Sequence, residues 1–161
     1  MECHLRYWHA LATRGLAGFL PGHFKVLSNF VVTNPDVVRA RPDRVVGTLR
    51  ILFGEMRNSV PPGMPRALLV FLGLSDIHPF CDGNGRIAIA LMNRELEMCG
   101  LMPALFNVPN GLRGRIAQAM QQSRKAGGDF SALHEVVVEG QEFAAAFCKE
   151  IQYMPGGSAH G

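Results

Sequence analysis

Two stretches of this chain are apolar on nearly every side, and a short polar loop separates them. Arg66 to Ile77 carries Leu68, Leu69, Val70, Phe71, Leu72 and Leu74, while Ile87 to Met92 opens a second apolar run that ends at Gly100. A helix that is hydrophobic all round has to be buried, so the rest of the chain must pack about these two predicted core helices. The loop between them reads Ile77-His78-Pro79-Phe80-Cys81-Asp82-Gly83-Asn84-Gly85-Arg86. Glycines at 83 and 85 let the backbone turn tightly and approach a ligand, and a helix starting near Asn84 offers unpaired N–H groups and the positive end of its dipole to an anion. Asp82, just ahead of those groups, can hold a hard divalent cation against the same anion, and Arg86 can add a charge-assisted contact. The pattern points to phosphate chemistry. His78, four residues before Asp82, is placed to take a proton from the attacking group.

Each motif residue also has a plainer reading. A histidine before proline is on its own more often a polar helix end than a base. Asp82-Gly83-Asn84-Gly85 could be a calcium loop, but that loop wants glycine at its sixth position and glutamate at its twelfth, where this chain has Ile87 and Asn93. Phe80 reads as a core anchor and Cys81 as a spacer, although a helix N-terminus could lower the pKa of a thiol there.

Apolar spacing at Leu5, Trp8, Leu11 and Leu16 predicts a first helix over Glu2 to Ala17, with Cys3, His4 and His9 on a partly exposed face. Phe24 to Thr33, rich in Val and Phe around Ser28-Asn29, reads as two short strands and a turn. Val45, Val46, Leu49, Leu52, Phe53 and Met56 give a second helix, with a proline-rich loop from Asn58 to Pro65 after it. Beyond Gly100 the expectation is a connecting loop to Asn110, a helix over Arg113 to Lys125, and a last helix from Phe130 to about Tyr153. The fold class is all-α with one small hairpin: a single domain over 1–153 and a flexible tail over 154–161.

At 161 residues with 48% hydrophobic content the chain can fill one core. A net charge of +3 without basic blocks argues against nucleic acid as the main partner. Four cysteines without CxxC spacing read as reduced thiols, and no second ligand pair supports zinc. The longest clean apolar run, Ala67 to Leu74, is too short to span a bilayer, and no signal-peptide layout opens the chain. The expected site of action is the cytoplasm, of a bacterium or of a host that receives the protein.

His78-Pro79-Phe80-Cys81-Asp82-Gly83-Asn84-Gly85-Arg86 resembles the signature of the Fic family, HxFx(D/E)GNGRxxR, at every specified position but the last. Pro21-Gly22-His23-Phe24-Lys25 is similar to that family's β-hairpin flap, and the likeness runs over roughly residues 18 to 150. The resemblance implies transfer of AMP from ATP to a Ser, Thr or Tyr hydroxyl of a protein. It further implies His78 as general base, Asp82 as the Mg²⁺ ligand, Gly83, Asn84 and Gly85 as the phosphate nest, and Arg86 as a clamp. Phe24, Lys25, Val26 and Leu27 of the flap would hold the target protein by strand addition.

Two positions depart from the family pattern. Ile89 replaces the second arginine, and an aliphatic side chain cannot bind a terminal phosphate, which opens UMP or CDP-linked phosphocholine transfer as alternatives. A nucleotide-binding regulator without catalysis is a third reading, opposed by the presence of both His78 and Asp82. The family's self-inhibitory motif, (S/T)xxxE(G/N), has no clean match: Val136 follows Ser131 to Glu135, and Glu139-Gly140 lacks the preceding Ser or Thr. Constitutive activity, or control by a separate inhibitor protein, is the expectation.

Overall fold

The computed structural model describes residues 2–16, 20–28, 39–106 and 111–153. Among them the secondary structure is helical, as the all-α reading expects. The chain divides into two compact units, Met1–Glu95 and Leu96–Gly161.

In the first unit the central element is α4 (Met64–Ile77). Gly63 at φ 92° turns the chain into it and Pro65 occupies its first turn, where a missing N–H costs nothing. Ala67, Leu68, Val70, Phe71, Leu72, Leu74 and Ile77 are all buried, as the all-round apolar pattern requires. Gly73 makes room for α2 (Val45–Arg50) and the π-helical turn Ile51–Met56 that continues it, since a Cβ at 73 would stand 2.6 Å from Leu52 Cδ1.

The π turn, followed by α3 (Arg57–Ser59), changes which side of the expected second helix faces inward. Val45, Leu49 and Leu52 are buried, but Met56, placed on the apolar stripe by its spacing, is 44% exposed. An i→i+5 turn, closed here by the Arg57 N–H on Leu52 O, takes one extra residue and rotates everything beyond it. That rotation brings Arg57 onto α5 (Asn84–Glu97), where its guanidinium makes a two-pronged ion pair with buried Glu95 at 2.8 and 3.1 Å.

The first helix, α1 (Glu2–Ala12), is shorter than expected and buries a different face. Leu5, His9 and Thr13 are buried at four-residue spacing, while Leu11 and Leu16, expected inside, are 53% and 40% exposed. Two polar members of that stripe are tolerated because each finds hydrogen-bond partners. Of the expected hairpin, residues 24–28 are described, and among them Phe24 is joined by an isolated antiparallel bridge to Phe80; the returning strand lies outside the described residues.

The second unit is a helical hairpin of α6 (Leu112–Lys125) and α7 (Ser131–Tyr153). Gly127 and Gly128, both at positive φ, make the turn, and Asp129 accepts the Ser131 N–H at 2.9 Å to start α7. Arg115 and Glu139 form a bidentate ion pair between the two helices. Gly140 lets the 101–106 segment cross α7, where Leu105 N–H donates to Gly140 O at 3.0 Å and a Cβ would meet Phe106 at 3.0 Å. Glu139-Gly140, weighed above as an inhibitory motif, thus has a packing role in this unit. The expected tail lies outside the described residues. Among the described residues no helix is long and apolar enough to cross a membrane.

Candidate active site

The loop between α4 and α5 is built from its ends inward. His78 closes α4 in the left-handed conformation at φ 51°, ψ 60°, with its N–H on Leu74 O at 3.0 Å. It is the one non-glycine residue at positive φ among the described residues. Such a conformation costs a side-chain-bearing residue roughly 1–2 kcal/mol, so surrounding contacts must hold it. Phe80, fully buried, anchors the next turn. The Asn84 side chain then staples the loop: its Oδ1 accepts the Phe80 N–H at 2.9 Å and its Nδ2 donates to Phe80 O at 2.8 Å. The side chain of Asn84 is therefore a structural clamp, and what it can offer an anion is its backbone.

Gly83, at φ +75°, is a position that no other residue could fill without movement. A Cβ there would lie 2.9 Å from Thr13 Cγ2 and 3.0 Å from His9 Nε2. His9 is the residue that sequence reasoning misplaced: it is 2% exposed, not on an open helix face. Its ring stacks on Phe80 with centroids 3.7 Å apart. Nδ1 accepts the Gly22 N–H at 2.9 Å, which puts the ring proton on Nε2, and Nε2 donates to Asp82 O at 3.0 Å. Burial lowers its pKa despite the pull of Asp82, so the ring is the neutral imidazole that this pairing requires. One side chain thus joins the loop that opens the flap to the loop that carries the motif. The signal available in the sequence was its place four residues from Leu5 and from Thr13.

Asp82 and Arg86 are exposed, as is Gly85 at the first turn of α5, where nothing lies within 4 Å of the position a Cβ would take. Asp82 Oδ1 accepts the Gly83 N–H at 2.6 Å, which aims the carboxylate toward the helix N-terminus. One carboxylate beside an anion site is the donor set that Mg²⁺ uses when phosphates complete its shell. No group of three or more His, Cys, Asp or Glu side chains forms a self-sufficient metal site among the described residues. The four cysteines are free and exposed.

His78 is half-buried, and its Nδ1 lies 3.4 Å from Ser75 O. A carbonyl can only accept, so this contact puts the proton on Nδ1 and leaves the Nε2 lone pair available. Its pKa is lowered first by burial and then by the positive charge of Arg39, with Lys25 adding to the effect and Asp82 opposing it. Arg39, which carried no role in the sequence reading, donates to Ser75 O at 2.8 Å and pairs with Asp76 at 3.2 Å.

The four flap residues divide into two pairs. Phe24 packs on Phe80 with ring centroids 5.3 Å apart, and Lys25 is buried, with its N–H on Pro79 O at 2.9 Å and its Nζ 3.4 Å from Ile77 O. Val26 and Leu27 are 78% and 76% exposed. A separate cavity of about 480 Å³, lined by Trp8, Phe53, Arg57 and Arg94 among others, shares no residue with the motif loop.

The described residues thus form a helical domain with a histidine at one helix end, followed by an acidic residue and a glycine-flanked helix start. A sequence profile of the Fic/DOC family matches residues 2–96, and the chain belongs to that family, which is generally of transferase type. No match is found among curated proteins. Among solved structures, Fic-1 (residues 134–508) from C. elegans is similar with a TM-score of 0.69 at 20% identity, covering 94% of this chain and 44% of that one. A Fic-domain-containing signalling protein from Bacteroides thetaiotaomicron VPI-5482 gives 0.68 at 21%, covering 93% and 63%. A Fic family protein from Desulfovibrio desulfuricans G20 gives 0.67 at 16%, covering 97% and 49%. At these identities the likeness is one of fold, and this chain spans less than two thirds of each.

Proposed function

We propose that the domain transfers AMP from ATP to a Ser, Thr or Tyr hydroxyl of a target protein. The observation that carries this reading is His78: a half-buried imidazole, kept neutral by burial and a nearby guanidinium, on a strained turn leading into the N-terminus of α5. A pure nucleotide binder has no use for such a base. In the reaction the target oxygen attacks the α-phosphorus, its proton goes to His78 Nε2, and the bond to the bridging oxygen breaks to release pyrophosphate. The backbone of Gly83, Asn84 and Gly85 with the Arg86 guanidinium would hold the phosphates. Asp82 would hold Mg²⁺, which supplies charge neutralisation to the donor when bound. Val26 and Leu27 offer an exposed segment along which a target peptide could lie.

One observation favours a second donor. Ile89, one turn beyond Arg86, cannot hold a γ-phosphate, and a CDP-linked donor would not need it held. The test is mass spectrometry of a lysate incubated with the protein, Mg²⁺ and, separately, ATP, UTP and CDP-choline. A mass increment of AMP on a hydroxyl residue, lost with His78→Ala, is the expected result. An increment from another donor alone would replace the AMP reading, and no increment from any donor would overturn transfer.

A further inference from the structure

We propose that Lys25 is a positioning residue for His78: through its main chain and its ammonium group it ties the segment presenting Val26 and Leu27 to the turn that carries the base. The two contacts straddle His78 in sequence. The Lys25 N–H donates to Pro79 O at 2.9 Å, on the residue after the histidine, and Nζ reaches Ile77 O at 3.4 Å, on the residue before it. A lysine at 3% exposure is unusual unless its charge has a use. Here the ammonium lies at the C-terminal end of α4, where helix carbonyls favour a cation. His78 is held in a conformation that an isolated chain would abandon, and Lys25 binds a carbonyl of the residue on each side of it.

The same placement gives the lysine an electrostatic effect on the imidazole. The charged groups facing His78 are Arg39 from the segment before α2, Lys25 from the flap, and Asp82 from its own loop; the two cations disfavour the imidazolium and the carboxylate favours it. Burial, and then Arg39, in turn lower the pKa of Lys25 itself. A peptide laid on Val26 and Leu27 would therefore rest on a segment whose next residue inward sets the position of the base and adds to the burial and the Arg39 charge that disfavour its protonation.

Because the role of Val26 and Leu27 rests on the transferase reading, the test has one arm that needs no activity. Lys25→Met keeps the aliphatic stem and removes donor and charge, Lys25→Gln keeps a donor without charge, and Lys25→Arg keeps both. In the nucleotide-free protein, the His78 imidazole is titrated by NMR, with His9 as the internal reference. Its pKa is expected to rise in Lys25→Met and Lys25→Gln and to return toward wild type in Lys25→Arg. In the transfer assay, Lys25→Met should lower kcat by about tenfold or more with KM for the nucleotide changed by less than about twofold. The acid limb of its pH profile should move upward, because a more basic His78 is protonated at higher pH. An unmoved His78 titration in folded Lys25→Gln or Lys25→Met overturns the proposal. So does a loss in KM for the nucleotide with kcat intact. Absence of any transfer by the wild type would defeat the transferase reading and leave the titration arm standing.

Discussion

At the scale of single residues, His78 carries two demands that conflict. Its backbone occupies the left-handed region, which glycine fills without penalty, while its side chain is the proposed base. His78→Gly should therefore be about 1 kcal/mol more stable than His78→Ala in urea unfolding, with both inactive in transfer. Equal stabilities would show that the turn is not strained. The proposed donor can be tested at Ile89. If the native donor is ATP, Ile89→Arg should tighten triphosphate binding by on the order of 1.5–3 kcal/mol, the worth of a hydrogen bond to a charged group. If the donor is CDP-linked, the added charge brings no gain. Calorimetric affinities for ATP, ADP and CDP-choline in both proteins separate these. A wild-type preference for ATP over ADP of about tenfold, or about 1.4 kcal/mol, would exclude a donor chosen for lacking the γ-phosphate.

At the scale of elements, the α4–α5 connection is a stapled turn and not an open loop. Asn84 satisfies both polar groups of the buried Phe80, and His9 clamps the same turn from α1. Asn84→Ala removes both hydrogen bonds, at about 0.5–1.5 kcal/mol for each. The variant should lose nucleotide binding together with stability, even though the Asn84 side chain is committed to Phe80 and not to the proposed phosphates. Thermal melting and calorimetry on the same sample check this. Retained binding at reduced stability would mean that the anion site survives without the staple. The helices themselves were legible where pattern and burial coincide. α4 and α5 start within two residues of their expected limits because all-round apolar runs admit one solution, and the Gly63 and Gly100 boundaries are backbone requirements. α1 was not legible in the same way. Its buried stripe contains His9 and Thr13, and a polar residue reads as exposed until its partners, here Gly22 and Asp82 for the histidine, are known.

At the scale of the whole molecule, the buried neutral histidine makes stability depend on pH. The unfolded His9 binds a proton below its ordinary pKa of 6.5, whereas the native ring, with its pKa lowered by burial, does not until the pH falls further. The unfolded state thus binds more protons in that window, and stability should fall as the pH drops from 7 toward 5, at up to about 1.4 kcal/mol per pH unit from this one group. His78, lowered in the same direction, adds to it. Asp129 and Glu139, whose pKa values are lowered by Ser131 and Arg115 respectively, contribute stability that is lost only at more acid pH, as it falls through the carboxylate range. Urea midpoints across pH 5–7 for wild type and His9→Gln test the assignment. An unchanged slope in the variant would place the dependence elsewhere.

By itself the sequence determined the all-α class, the two core helices and the position of the motif between them, because apolar periodicity and glycine placement are local signals that need no knowledge of neighbours. It also placed Asp82 just ahead of a helix start, with Gly85 and Arg86 in its first turn. Only the tertiary structure decided what holds that start in place. His9, Lys25 and Arg39 lie 36 to 73 residues away from the carbonyls of Asp82, Ile77 and Ser75 that they bind, and a single chain gives no sign of which distant polar side chain will find a partner. The division of the flap into a buried Lys25 and an exposed Val26-Leu27 was likewise a tertiary outcome. The lysine goes inward because the C-terminal carbonyls of α4, left without helical partners, can use its charge.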